Sequence, residues 1–312
     1  MSGTLRVRLR ALAKINLDLR VLGARPDKYH EIRTIFQTIS LADSIDVEFT
    51  PARRTAIQID GNVAIPDNLI VRAAGLALDT LRVTARVNFR LRKRIPMGAG
   101  LGGGSSDAAA VLLAIPPLAG RRLHLARLMQ LAAELGSDVP FFLLGGTAIA
   151  LGRGTELYPL PDSPPRSGLL VAPGLHVSTA AAYRALSGRL TTESQQNKIV
   201  SFQSAAWGGG LTTSGVNDFE TVVFEQFPQL AALKQLLVKL GANPAMMTGS
   251  GSAIFGLFRT REEIKRARKS FAAERVFPIK LVSRLSYRTI WRRMLRPHIE
   301  EGLWPPLSRY AH

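Results

Sequence analysis

The sequence predicts an α+β fold in two domains, and three observations carry that prediction. The chain has 312 residues, which exceeds one ordinary domain of about 150 residues. Strand-like and helix-like apolar spacings are interleaved without the regular alternation of a doubly wound sheet. A stretch rich in proline and serine, LPDSPPRSG (Leu160–Gly168), interrupts both patterns and marks a boundary. Hydrophobic residues make up 46% of the chain and charged residues 21%, enough for a real core.

The elements follow in order. INLDLRV (Ile15–Val21) alternates apolar and polar residues, as a half-buried strand does, with Asn16, Asp18 and Arg20 on its polar face. DSIDVEF and AIQID read as further strands, with Gly61-Asn62 as a turn. Asn68–Leu81 has helical spacing, with Asp67 or Asn68 as its N-cap. ARVNFRL (Ala85–Leu91) is a strand leading through Pro96 into a glycine run. SSDAAAVLLA is a helix capped by serine, with Asp107 in its first turn where negative charge suits the dipole. A helix over His124–Leu135 stops at Gly136, and GTAIAL (Gly145–Leu151, spanning Gly146) is a buried strand. Beyond the break come the strand LLVAP, the helix TAAAYRAL and a loop containing WGGGLTTSG. A helix over Phe227–Leu240, an apolar strand after Thr248, a basic helix REEIKRARKSFAAE and the strand FPIKLVS complete the pattern.

The bulk properties exclude several classes. With no cysteine, neither a disulfide framework nor a cysteine-ligated metal is available. Arginines interrupt the apolar runs of the N-terminus, so no signal peptide is expected. No run of about 18 apolar residues suggests a membrane span. The expected location is the cytoplasm. The net charge of +18 permits a polyanionic partner. Because that charge is spread along the chain, a solvated surface is the better reading, and neither nucleic acid nor membrane is expected as a partner.

One stretch carries chemistry. Pro96, Met97, Gly98, Ala99, Gly100, Leu101, Gly102, Gly103, Gly104, Ser105 and Ser106 run directly into a helix. Glycine allows positive φ and close backbone approach, so such a loop can turn its N–H groups toward an anion. The helix N-terminus adds unpaired amides and a favourable dipole. The lysine of the P-loop is missing, and a flexible connector is the alternative reading.

Four ordered motifs, AKINLDLRVLGARPDKYHEIRTIFQTI, PMGAGLGGGSSDAA, GSDVPFFLLGGTAIALGRGTEL and TGSGSAIFGLF, together resemble the GHMP kinases. Their details are most similar to the branch that phosphorylates a cytidine diphosphate substrate, 4-diphosphocytidyl-2-C-methyl-D-erythritol, at its 2-hydroxyl. The resemblance covers about Leu5–Ser283. It implies a ribosomal-protein-like α+β domain over residues 1–164, a ferredoxin-like domain over 165–283, and an active site in the cleft between them. ATP is then the phosphoryl donor, bound by the glycine loop.

The resemblance also implies roles. Asp138 would take the proton from the substrate hydroxyl, although a cap or turn would equally explain an aspartate before Val139-Pro140. Lys14 would pair with it, where an isolated strand lysine is otherwise a solvated edge residue. Asn16, two residues on, shares the strand face of Lys14 and could bond the same group, which would make it a substrate-binding residue. No residue cluster has metal-ligand spacing, so Mg²⁺ is expected on the ATP phosphates, aided by the hydroxyl of Ser105 or Ser106. Gly249, Ser250 and Gly251 would close over phosphates, or else form a tight turn. Tyr29 and Tyr183 would sandwich the cytosine, with His30 at its edge; Tyr183 alternatively is a core residue of its helix.

Two features depart from the resemblance. Lys28 stands where glycine is expected, so the loop backbone there is expected to differ. Residues 284–312 form a basic C-terminal extension. Its aromatics suggest a helix packed on the body, but it carries no recognisable motif, and removing it is expected to leave catalysis intact.

Overall fold

Strand β2 (His30–Pro51) is the spine of a six-stranded sheet in the computed structural model, which describes residues 3–189, 192–207, 215–271 and 274–299. Along one edge it pairs antiparallel with β1 (Leu5–Ala24). Its other edge is shared: β4 (Ala85–Arg92) pairs with Ser44–Pro51, and β5 (Thr147–Gly152) with Ile32–Gln37. Strand β3 (Ala56–Gly61) runs parallel to β4, and β6 (Glu156–Pro159) folds back on β5. Helices α1 (Leu69–Leu81), α2 (Gly103–Leu118), α3 (Leu125–Leu135) and α4 (Val139–Leu144) cover one face. Asn68 caps α1, its side chain accepting from the Ile70 amide at 3.0 Å.

A second, antiparallel sheet has the order β10-β7-β9-β8. It comprises β7 (Ser167–Ala172), β8 (Ala245–Met247), β9 (Ile254–Phe258) and β10 (Arg275–Lys280). Helices α5 (Thr179–Ser187), α7 (Glu220–Gln226), α8 (Pro228–Lys239) and α9 (Arg261–Arg268) pack their apolar residues against its outer face. Its inner face meets the first sheet through Ile15, Leu17, Ile35, Ile39, Leu170, Phe255 and Leu257. Helix α6 (Thr192–Trp207) lies near β1 and places Phe202 in that inter-sheet layer. The chain then returns to the first sheet, where α10 (Arg284–Leu295) buries Tyr287, Trp291 and Leu295. No helix among the described residues is long and apolar enough to cross a membrane.

Three local expectations are corrected. The polar face of β1 is not solvated: Asn16 and Asp18 are both 1% exposed, Asn16 against Thr248 and Gly249 and Asp18 against the Val216 amide, all in loops of the second half of the chain. Helix α6 escaped the periodicity argument because it is mostly polar. Helix α2 has no serine cap; it starts from Gly102 in the left-handed region at φ 66°. Asp107 therefore falls in its second turn and points into the protein.

Asp107 belongs to a buried ion triad that fastens α2 to the sheet below the glycine loop. Lys93 Nζ donates to Asp107 Oδ2 at 2.8 Å and also pairs with Asp43. Asp43 Oδ1 accepts from the amides of Arg94 (2.6 Å) and Ile95 (2.9 Å), fixing the chain where it enters the loop. Two carboxylates compete for one ammonium, and Asp107 Oδ1 has no hydrogen-bond partner. Burial pushes the Asp107 carboxyl up to about 7, against the pull of Lys93 and with the help of Asp43.

A pKa raised on folding means that the native state holds the proton more tightly than the unfolded chain. Asp107 thus lowers stability as pH rises from about 4, the ordinary carboxylate value, toward 7. Asp107→Asn removes that titration. Denaturant unfolding across this range should show the variant gaining on the parent as pH rises. Parallel stability curves would mean that Asp107 is ionised in the native state throughout.

Candidate active site

Strand β1 carries a lysine into the interior. The side chain of Lys14 is 4% exposed; its Nζ donates to Asn16 Oδ1 at 2.8 Å and lies 3.6 Å from Asp138 Oδ2. It also sits 5.0 Å from the centre of the Phe36 ring. Burial pulls its pKa down, opposed by the charge of Asp138. Asp138 occupies the N-cap position of α4, yet its side chain makes no capping hydrogen bond. Its carboxylate faces Lys14 and is partly open, at 35% exposure. The geometry thus favours a charge pair over a helix cap.

Asn16 is more heavily used than its sequence position suggested. Its Oδ1 accepts from Lys14 Nζ, from the Gly249 amide at 2.9 Å and from Thr248 Oγ1 at 3.2 Å. Its Nδ2 donates to Thr34 Oγ1 at 2.7 Å. The amide oxygen is committed to holding Lys14 and the second glycine loop, so it is not an open acceptor for a substrate.

In the first glycine loop, Gly98, Gly100 and Gly102 adopt φ values of 65°, 76° and 66°. They are separated by Ala99 and Leu101, which are buried and anchor the loop. The Leu101 carbonyl accepts from the Lys14 amide at 3.1 Å, tying the loop to β1. Ser106 is buried and donates its hydroxyl to Leu12 O at 2.7 Å, a structural role. Pro96 and Ser105 are half-buried, while Met97 and Gly104 are exposed. The open first turn of α2 therefore presents the amides of Gly103, Gly104 and Ser105.

The two glycine loops touch through their backbones. A Cβ on Gly100 would lie 2.0 Å from Thr248 O, and one on Gly249 would lie 2.9 Å from Gly100 Cα. On the other side, a Cβ on Gly102 would meet the Phe142 ring at 2.9 Å. At Gly103 it would meet Ile95 and Lys93, so a side chain there collides with protein. Within the second loop, Gly249 and Gly251 have φ 57° and 93°, and Ser250 Oγ is 2.8 Å from Thr179 Oγ1. Asn217, which sequence reasoning missed, supports this loop: its Nδ2 donates to Met247 O and Gly249 O, both at 2.8 Å. No spacing signal marked it, because its partners are main-chain carbonyls about 30 residues away.

The aromatic residues are arranged otherwise than expected. His30 stacks on Tyr183, with ring centroids 4.3 Å apart and planes at 20°, and its Nε2 lies 2.8 Å from Ser187 Oγ. Tyr29 does not face Tyr183; it is 47% exposed, with the Arg153 guanidinium 3.7 Å from its ring centre. Burial, with the charge of Asp138 adding to it, pushes the Tyr183 phenol up to about 12. Lys28 keeps the left-handed backbone that favours glycine, at φ 66°, so the turn persists despite the substitution. A separate groove of about 1040 Å³ lies over the exposed face of the first sheet. Arg6–Glu48 and Arg8–Asp46 pairs line it, and it shares no residue with this cluster.

The loop contact yields a prediction. Gly100→Ala should lower the melting temperature and raise the KM for ATP several-fold, because the methyl strikes backbone at a strained φ. Gly104→Ala meets only Leu69 Cδ1 at 3.8 Å and should leave the melting temperature at the parental value. Equal behaviour of the two variants would refute the loop contact.

Comparison with known proteins agrees with this architecture. The GHMP kinases N terminal domain family matches residues 68–146, and the GHMP kinases C terminal family matches residues 199–275. A 4-diphosphocytidyl-2-C-methyl-D-erythritol kinase of Solibacter usitatus is 60% identical over 99% of both chains. One of Geobacter metallireducens is 40% identical over 84% of this chain and 92% of its own. A crystal structure of 4-(cytidine 5'-diphospho)-2C-methyl-D-erythritol kinase superposes with a TM-score of 0.74 at 38% identity, covering 88% of this chain and 98% of that one. The homoserine kinase of Cytophaga hutchinsonii shares the fold at 17% identity and a TM-score of 0.64. With both family models and these relatives in agreement, the chain belongs to the GHMP kinases, in the 4-diphosphocytidyl-2-C-methyl-D-erythritol kinase family.

Proposed function

We propose that this chain transfers the γ-phosphoryl group of ATP to the 2-hydroxyl of 4-diphosphocytidyl-2-C-methyl-D-erythritol, a step of the non-mevalonate route to isoprenoids. The observation that carries the reading is the Lys14–Asp138 pair, whose carboxylate is spared from capping α4 and whose lysine is bonded to the glycine loop through Leu101 O. In the reaction the substrate oxygen forms a bond to the γ-phosphorus, the bond to the bridging β,γ-oxygen breaks, and ADP leaves. Asp138 receives the hydroxyl proton, and Lys14 places positive charge next to the moving group. Gly98–Ser105 hold the ATP phosphates through main-chain amides, and Gly249–Gly251 close on the phosphates from the second sheet.

Mg²⁺ fits this donor set without a protein cage. Among the described residues no three histidines or carboxylates cluster. Ser105 is the serine of the loop with an uncommitted hydroxyl, so it and the nucleotide phosphates would hold the ion. Bound there, the ion neutralises phosphate charge. The cytosine is assigned to Tyr183, His30 and Tyr29, with His30 moving from its present stack as the base enters. Residues 1–164 then form the nucleotide and catalytic domain, residues 165–283 the second domain, and 284–312 an extension. The enzyme acts on small molecules in the cytoplasm.

Purified protein with ATP and the cytidine substrate should release ADP. No release with that substrate, alongside turnover of homoserine or mevalonate, would overturn the reading. Asp138→Asn should lower kcat by about 10²- to 10⁴-fold, the ordinary worth of a general base, with the fold preserved. Normal turnover would return Asp138 to a structural role. Tyr183→Ala should raise the KM for the cytidine substrate about 5- to 150-fold, as expected for a lost base-stacking face, and spare the KM for ATP. An unchanged cytidine KM would place the base elsewhere.

A further inference from the structure

Helix α4 has only six residues, and it holds Asp138 at one end. So short a helix cannot maintain its own position, because helix nucleation is unfavourable and most helical stability comes from packing. Its N-cap side chain is turned away to Lys14, so that end has no capping bond. At its other end the carbonyls of the last turn lack partners within the helix. What fixes α4 must come from outside.

Helices α2 and α3 pack along its sides, and the C-terminal helix grips its free end. Tyr287 of α10 is 2% exposed, and its hydroxyl donates to Phe142 O at 2.5 Å. Its ring lies so close to Gly145, the C-cap of α4, that a Cβ there would sit 2.2 Å from it. Trp291 packs edge-on behind that ring, with centroids 6.3 Å apart. Burial pushes the Tyr287 phenol up, so the hydroxyl remains a donor throughout the useful pH range. At the start of α10 the Arg284 amide donates to Asp162 Oδ1 at 2.7 Å, and its guanidinium reaches Thr147 O and Leu160 O. The same helix and the turn after it (Arg296–His298) also grip β1: Arg10 N donates to Met294 Sδ at 3.2 Å, and His298 Nε2 lies 3.1 Å from Arg6 O.

Helix α10 thus spans the strand that carries Lys14 and the helix that carries Asp138. The Phe142 ring extends the contact, since it packs under Gly102 of the glycine loop. We propose that the C-terminal helix is a clamp that sets the spacing of Lys14 and Asp138, with Tyr287 as its positioning residue. The inference rests on the kinase reading above and replaces the expectation that the tail is dispensable for catalysis. A clamp of this kind acts on the transition state, because it adjusts the angle and distance of the base and touches neither substrate.

The test uses the full chain and Tyr287→Phe, which keeps the ring and removes the hydroxyl. The parent is assayed first: if it does not phosphorylate the cytidine substrate, the kinase reading fails, and the clamp fails with it. With an active parent, the variant should lose about 3- to 10-fold in kcat, the effect of one hydrogen bond of ordinary strength on a barrier. The KM for ATP and for the acceptor should stay within about twofold of the parent, the pattern of an effect confined to the transition state. Hydrogen exchange, read independently of activity, should quicken in residues 139–145. Leu285→Ser, on the exposed side of α10 at 72% exposure, should leave all of these unchanged. A Tyr287→Phe variant with parental kcat, or one that loses only melting temperature, would overturn the clamp.

Discussion

Asn16 Oδ1 accepts hydrogen bonds from Lys14 Nζ and from the Gly249 amide, so one atom holds both the buried cation of the first sheet and a loop delivered by the second. The remaining geometry depends on this arrangement. Lys14 is almost wholly removed from water, and an ammonium in that position needs either a carboxylate or several oriented dipoles. It has both, in Asp138 and Asn16. The Gly249 amide in turn brings the second glycine loop against Gly100 of the first, backbone to backbone. The two halves are therefore joined by polar bonds beside the apolar inter-sheet layer of Ile15, Leu17 and Phe255.

Much of this was legible in the sequence, though not for the same reasons everywhere. The strand and helix order followed from periodicity, since most elements have one apolar face. The glycine loop was legible because close backbone approach leaves glycine as the residue that fits. Lys14 and Asp138 were legible only through the resemblance, because a lone lysine and a Ser-Asp-x-Pro turn have commoner structural explanations. What failed were features whose partners lie far along the chain. Asp107 looked like a first-turn acid, but its lysine is 14 residues back and its competing carboxylate, Asp43, is on strand β2. Asn16 looked available for substrate because its partners Thr248 and Gly249 lie more than 230 residues away. The polar face of β1 looked solvated because nothing local shows that loops 198 to 233 residues on will cover it.

The aromatic residues show a different limit. Tyr29, His30 and Tyr183 were grouped correctly in space only in part, since His30 and Tyr183 stack while Tyr29 turns to Arg153. Side-chain rotamers are set by which neighbour offers the best contact, and Arg153 arrives from the β5–β6 turn with no signal beyond its charge. The tail is the same case at larger scale. Its aromatics announced packing, but the carbonyl that Tyr287 meets is a main-chain atom of a short helix, and sequence carries no mark of it.

Asn16 couples the strand that carries Lys14 to both glycine loops. Hydrogen exchange on Asn16→Ala tests this coupling most directly, since the side chain is removed without adding volume. The account predicts faster exchange together in residues 98–102 and 248–252, with α8 unchanged. Parental exchange in both loops, or loosening of β1 alone, would contradict it.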